Sequence, residues 1–179
     1  MARKSEHSHH HYHIGLLVLI LLVAAVGFFF YHRQNKWQMY VVQSMDKTRE
    51  LKSTDSAEDG QVIASTIVSI PAGNPMLKEP AALEAYIETL SRKTGRDIVV
   101  TDNKKKILAD TVSTNVGSTY SGDKNGEVSS TIADGQARDF VENSADYPSG
   151  IAETVTSFKD LRGSVVGAII ISNSKIFGE

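Results

Sequence analysis

The chain contains no cysteine, and this absence removes a large class of chemistry. Without thiols there are no disulfides, thiolate zinc sites, iron–sulfur clusters, cysteine nucleophiles or thioether-linked haem groups. The absence suits an oxidising compartment, where a stray thiol is a liability, but it does not require one.

Histidine is confined to the first 32 residues, so the rest of the chain has none. A histidine general base, a Ser–His–Asp triad and a His-ligated metal are therefore excluded there. No G-x-x-x-x-G-K-[ST] phosphate loop occurs, and residues 123–127 lack the full ligand pattern of a calcium loop. We therefore expect that the chain is not an enzyme, and that the part after residue 32 has no catalytic residue, metal site or cofactor.

The chain also lacks an excess of positive charge, because its formal net charge is −2. A nucleic-acid-binding protein usually presents a basic face, so no nucleic-acid partner is expected. The one run of three lysines, Lys104–Lys106, lies where the pattern predicts a hairpin tip, which favours a solvated turn.

One long apolar run stands out, at residues 14–31 (IGLLVLILLVAAVGFFFY). As a helix rising about 1.5 Å per residue, it matches the roughly 30 Å hydrocarbon core of a bilayer. A signal peptide cleaved near Ala25-Val26-Gly27 is the alternative. The run continues through Phe28–Phe30, beyond the usual signal-peptide core, which favours a retained single transmembrane helix.

The polar tail before this run, residues 1–13, is rich in histidine. It is either a tract that binds transition metals or a polar tail without a ligand. Lysine and arginine on the two sides of the run do not determine which side faces the cytoplasm.

A helical stalk is predicted over residues 34–70. Its first part carries an apolar stripe at helical spacing, which needs a partner. That partner is either a second copy of the chain, giving the homodimer we favour, or the stalk's own domain. The stripe comprises Trp37, Tyr40, Val41, Met45, Thr48 and Leu51.

Residues 71–179 read as a folded domain. Pro80 begins a helix that ends at Gly95, and residues 97–101 and 106–110 form a hairpin. A Ser/Thr/Gly-rich loop follows over residues 111–126. Residues 127–142 indicate a short helix, or a strand running into one, and residues 151–158 and 164–172 are strands. We expect a core that includes Val99, Ile107, Val166, Ile169 and Ile171.

The element order predicts an α+β fold, an antiparallel sheet with helices packed on one face. Three stretches resemble the Cache (PDC) domains, which are PAS-like extracytoplasmic sensor modules. They are DIVVTDNKKKILADT with the NVG that follows it, GEVSSTIADGQARDF, and GIAETVTSFKDLRGSVVGAIIIS. The resemblance covers roughly residues 34–172 and is to the single-module form.

This resemblance implies a domain outside the bacterial inner (cytoplasmic) membrane, with a small-molecule pocket over the sheet. It implies pocket contacts from Tyr120, from Arg138 on the short helix and from Tyr147. Arg138 is suited to hold a carboxylate in a bidentate manner, but a surface position on the helix is the alternative.

Two readings of function follow. Family members usually return to the membrane through a second helix, and no such helix or kinase segment follows residue 172. We therefore expect a separate membrane signalling partner to carry the output of a ligand-sensing module. The alternative is an accessory subunit that keeps the sensor fold as a ligand-free scaffold for binding proteins. A cavity with converging polar groups distinguishes the sensor from the scaffold.

Overall fold

A computed structural model describes residues 16, 18–32, 45, 56–69, 76, 79–160 and 162–176. The chain divides into two compact units, residues 1–39 and 40–179. In the first unit, residues 18–32 are helical. Within the described ranges, no helix is both long and apolar enough to cross a membrane. The tail 1–13 and residues 14, 15 and 17 of the predicted span lie outside the described residues.

In the second unit, helix α1 spans Ser56–Ser69. Ile63, Thr66 and Ile67 are buried along one side of it, as the helical spacing predicts. The rest of the predicted stalk lies outside the described residues except Met45. This residue is helical and packs, partly buried, against the domain's own core.

Helix α2, Pro80–Thr94, has the termini that the sequence predicts. Pro80 lies in the first turn, where its missing N–H costs no hydrogen bond. Gly95 has a φ of 73° and donates its N–H to Ser91 O at 2.7 Å, which ends the helix. The buried face of this helix comprises Leu83, Tyr86, Ile87 and Leu90, which follow helical spacing.

Five antiparallel strands form one sheet, in the order β2-β1-β5-β4-β3. They are β1 (Ile98–Asp102), β2 (Ile107–Asp110), β3 (Arg138–Glu142), β4 (Ile151–Lys159) and β5 (Val165–Ser172). The α+β class and the antiparallel sheet are therefore confirmed.

The reading of residues 127–142 needs correction. The segment is a helix followed by a strand, α3 (Glu127–Asp134) and then β3. The sequence hides β3 because this edge strand is short and buries only one large hydrophobic side chain, Phe140.

The two faces of the sheet bury different residues because successive side chains alternate along a strand. Ile98, Val100, Ile169 and Ile171 join α1 and α2 in one core cluster. Val99, Val155, Ala168 and Ile170 join Val128 of α3 in a second cluster on the opposite face.

Of the predicted core residues, Val99, Ile107, Ile169 and Ile171 are buried. Val166 near the start of β5 is only partly buried, so that prediction is wrong.

A buried ion pair attaches α1 to the end of the sheet. The Arg96 guanidinium donates to Asp59 and Ser56 of α1, and its Nε donates to Ser172 O at 2.6 Å. Both charged side chains are nearly inaccessible to solvent. The pair and its neighbours thereby tie α1 to the end of β5, beside the start of β1.

Candidate ligand-binding site

A cavity of about 200 Å³ opens on the sheet face that carries the second core cluster. Val99 of β1 and Ile107 of β2 form its apolar floor. Its walls come from the loop after β2 and from the segment after β3. The lining residues are Asp97, Val99, Ile107, Asp110, Val112, Asn115, Ser118, Thr119, Tyr120, Ser121, Gly122, Glu142, Ser144, Ala145, Asp146 and Tyr147.

Tyr120 connects two buried glutamates at one end of this cavity. Its hydroxyl lies 2.6 Å from Glu142 Oε2 and 3.0 Å from Glu153 Oε2. A phenol has one proton to donate, so it cannot serve two ionised carboxylates at once. One of the two glutamates must therefore carry a proton for both contacts to be hydrogen bonds.

Glu153 is the residue whose environment favours that proton. It is fully buried in β4, and burial raises its pKa to about 9, with the negative charge of Glu142 adding to the effect. Burial also raises the pKa of Tyr120, and the charge of Glu153 reinforces the shift. The Tyr120 phenol is therefore neutral and acts as a donor.

Gly122 permits this arrangement because it has no side chain. A Cβ added there would lie 2.7 Å from both the Tyr120 hydroxyl and the Glu142 carboxyl carbon. Glycine lets the loop backbone pass directly beside the pair.

Asp97, at the start of β1, supplies a third buried carboxyl. It is 2% exposed, and its backbone N–H donates to Ser172 Oγ at 3.0 Å. Its Oδ1 has no hydrogen-bond partner among the described residues. Burial raises the pKa of Asp97, and hydrogen bonds to its carboxyl from Tyr147 and Thr111 oppose the rise without reaching Oδ1. A buried acceptor without a donor is costly, so this oxygen is a natural contact point for a ligand donor.

Asp110, at the end of β2, is the fourth buried carboxyl. Its Oδ1 accepts a hydrogen bond from Val112 N at 2.7 Å. Asn115 Nδ2 donates to Asp110 Oδ2 at 3.2 Å and to Asp146 Oδ2 at 3.0 Å, which links the two walls of the cavity. Burial raises the pKa of Asp110 to about 7.

No lysine, arginine or histidine is among the residues that line the cavity in the described part of the chain. Lys105 is near, but its Nζ lies 2.5 Å from Asp123 Oδ1, and that carboxylate also caps α3 through Val128 N at 3.0 Å. The charge of Lys105 is therefore neutralised by a partner outside the lining. The cavity presents acidic groups without a compensating basic side chain.

Of the three pocket residues that the family resemblance implies, two lie at the cavity and one does not. Tyr120 and Tyr147 line the cavity. Arg138 is outside the lining and lies at the start of β3 rather than on the helix. Its guanidinium donates to both carboxylate oxygens of Asp134, at 2.5 and 2.8 Å, which already occupies the bidentate geometry. Whether any of the three binds a ligand stays a prediction.

The four buried carboxyls were missed by the sequence reasoning, although one carried a signal. Glu153 occupies an inward position of β4, between Ile151 and Val155 in the alternation of the strand. A glutamate on the buried face of a strand is rare unless it has a partner. Asp97 immediately precedes β1 and Asp110 ends β2, and aspartate is also common beside strands in ordinary turns, so their positions gave no comparable signal.

The chain is similar to known proteins in structure, but the sequence comparisons found no match. No protein-family model matches the chain, and no curated protein matches it. The sensor domain of DcuS from E. coli has 18% identity and a TM-score of 0.49, over 65% of this chain and 86% of that one. An extracellular ligand binding receptor from Desulfohalobium retbaense has 16% identity and a TM-score of 0.47, over 79% of this chain and 26% of that one.

The sensor domain of the histidine kinase DctB from V. cholerae is similar over a larger share of this chain. It has 12% identity and a TM-score of 0.50, over 83% of this chain. This chain spans about half, 56%, of the length of that sensor domain. Identity at this level establishes the fold alone. The second unit of this chain therefore has the sensor-domain fold of the Cache (PDC) type, as the resemblance in its sequence implies.

Proposed function

We propose that this chain is a membrane-anchored sensor subunit whose domain lies outside the cytoplasm and binds a small molecule in the acidic cavity. A separate membrane signalling protein carries the output. The observation that supports this proposal most directly is the cavity itself, in which buried polar groups converge and Asp97 Oδ1 has no partner among the described residues. Such concave sites with few polar groups are the usual form of small-molecule sites.

A protein-binding scaffold with the same fold would be expected to fill this space. Side chains would pack over Val99 and Ile107, and polar groups would be satisfied within the protein. The open cavity over these two residues and the unpaired Asp97 oxygen favour the sensor over the ligand-free accessory subunit.

The remaining parts of the proposal come from the sequence and from analogy. The uncharged run over residues 14–31 supports a single membrane span. The DctB domain belongs to a histidine kinase, which supports a signalling role for a partner of this chain. No catalytic role is proposed.

Ligand binding is tested by thermal unfolding of the full chain in detergent, followed by circular dichroism, against a library of small acids, amines and neutral metabolites. A ligand of the native state stabilises it by about 2.7 kcal/mol at a concentration 100 times its Kd. Stabilisation that is saturable and lost in a cavity variant supports the sensor. A library with no stabilising compound would favour the scaffold.

Sidedness is tested separately, by adding protease to intact spheroplasts that contain the chain. We expect degradation of residues 71–179, because the proposed domain faces the outside. Full protection until the membrane is permeabilised would contradict the proposed location.

A further inference from the structure

We infer that the cavity takes a small organic cation, with ammonium N–H groups directed at the unpaired Asp97 oxygen. This inference rests on the proposed sensing function and names the chemical class of the ligand.

The charge of the cavity lining favours a cation. Four carboxyl side chains line the cavity, and no basic side chain lines it within the described ranges; the four are Asp97, Asp110, Glu142 and Asp146. Glu153 lies directly behind, in contact with Tyr120. An anionic ligand would be repelled by each ionised carboxylate and would find no lysine or arginine among the lining residues to hold it. A cation gains attraction from the same groups.

The cavity also contains a buried acceptor atom that lacks a donor in the described part of the chain. Asp97 is 2% exposed, it lines the cavity, and its Oδ1 has no hydrogen-bond partner among the described residues. The Tyr147 and Thr111 side chains hydrogen-bond to this carboxyl and oppose the rise of its pKa, but they leave Oδ1 without a donor within the described ranges. An ammonium group placed beside Oδ1 supplies both the missing hydrogen bond and the opposite charge, which makes a charge-assisted bond.

The arrangement fits an organic cation better than a metal ion. A divalent metal needs several oxygen ligands that converge on one point. Among the described residues, no group of three or more His, Cys, Asp or Glu side chains is placed to hold a metal ion. The lining also offers apolar surface from Val99, Ile107 and Val112 and two tyrosine rings. A carbon skeleton makes use of these contacts, whereas a hydrated metal ion does not.

The other lining carboxyls already accept hydrogen bonds from the protein, so they have less capacity left to bind a ligand. Asp110 and Asp146 already share Asn115, and Glu142 accepts from Tyr120. Asp97 is the lining carboxyl with an unpaired buried oxygen in the described part of the chain. We therefore assign Asp97 as the main contact and Asp146, which is exposed, as a contact at the mouth of the cavity.

The test uses the full chain in detergent, at constant ionic strength, with binding measured by isothermal titration calorimetry. The probes are three primary amines, ethanolamine, 1,4-diaminobutane and agmatine. Their counterparts are the neutral 1,4-butanediol, the anion succinate, and the metals Mg²⁺ and Ca²⁺. We expect saturable binding of at least one amine and none of the counterparts.

Matched variants locate the site. Asp97→Asn should weaken amine binding at least tenfold, while Glu88→Gln, which removes an exposed carboxylate on α2, should leave it unchanged. If Asp97→Asn does not fold, Asp146→Asn replaces it, because that side chain is exposed. We expect this second variant to bind severalfold more weakly.

Different results separate this inference from the proposed function. Binding of succinate, butanediol or a metal in place of the amines would overturn the cation assignment and leave sensing intact. Amine binding that is unchanged in both cavity variants would overturn the assignment to this site. Failure of every probe and of the wider compound library would remove the sensing function as well.

Discussion

The Tyr120 hydroxyl donates to Glu142 Oε2 across 2.6 Å, inside a cavity in which it also lies 3.0 Å from Glu153 Oε2. The phenol thus contacts both glutamates of the buried cluster. It thereby joins the loop after β2 to the ends of β3 and β4.

Tyr120→Phe removes the donor and keeps the ring. We expect a loss of about 1–3 kcal/mol in the free energy of unfolding, because buried Glu142 then lacks its hydrogen-bond donor. Urea unfolding at pH 7 measures this loss. A stability equal to that of the wild type would mean that water or the chain replaces the phenol without cost.

Stability should fall as the pH rises. The folded pKa values of Asp110, about 7, and Glu153, about 9, lie above the ordinary values of 3.8 and 4.5. The folded state therefore binds more protons than the unfolded state between about pH 4 and pH 9. The contribution of these groups is fully present below about pH 4 and is lost as the pH rises through 7 and 9. Denaturant unfolding across pH 5–9 measures the trend.

Glu153→Gln tests whether ionisation of Glu153 causes the loss of stability between pH 7 and pH 9. The amide cannot ionise, so the variant should lose less stability than the wild type between pH 7 and 9. The groups facing this position are Tyr120, Glu142 and Asp97. Glu88→Gln on the surface of α2 serves as the control and should follow the wild type. Parallel curves for Glu153→Gln and wild type would contradict the raised pKa.

Ile169 is a central core position. It is fully buried in β5, opposite Val100 of β1 and Thr156 of β4. Ile169→Ala should cost about 2–5 kcal/mol of unfolding free energy, from lost burial and the cavity that remains. Val166→Ala, at a partly buried position of the same strand, should cost less. Equal losses from the two variants would show that β5 does not pack as described.

The buried Arg96–Asp59 pair should matter far more than the exposed Arg92–Glu88 pair. Arg96→Met leaves Asp59 buried beside an apolar chain, with an expected loss of about 3–5 kcal/mol. Arg92→Met breaks an exposed pair within one helix, with an expected loss of about 0.3–0.5 kcal/mol. Chemical denaturation of both variants makes the comparison, and similar losses would place Arg96 in contact with solvent.

The homodimer predicted from the stalk stripe is tested by cross-linking. The chain has no cysteine, so single cysteines can be placed along residues 38–52 without background. Oxidative cross-linking that peaks at positions 41, 45 and 48 is expected for a parallel helix pair. Met45 already packs against its own domain, which supports the monomeric alternative at that position. Uniformly low cross-linking would favour that alternative.

Much of the fold follows from short-range patterns. Pro80 and Gly95 bound α2, and the β-branched runs around Val99 and Ile169 locate β1 and β5. These signals are local because they arise from backbone geometry and from side-chain alternation within one element. β3 escaped prediction because its neighbour β4, rather than its own residues, stabilises it.

The sequence by itself determined the apolar run, the order of most elements, the α+β class and the absence of cysteine and histidine chemistry in the domain. Only the tertiary structure decided the character of the cavity. Asp97, Tyr120, Glu142 and Glu153 come from four separate segments, and of these only Glu153, on the buried face of a strand, is unusual in its local context. Their ionisation and pairing depend on burial and on distances across the sheet, which antiparallel pairing and loop packing create and no local pattern encodes.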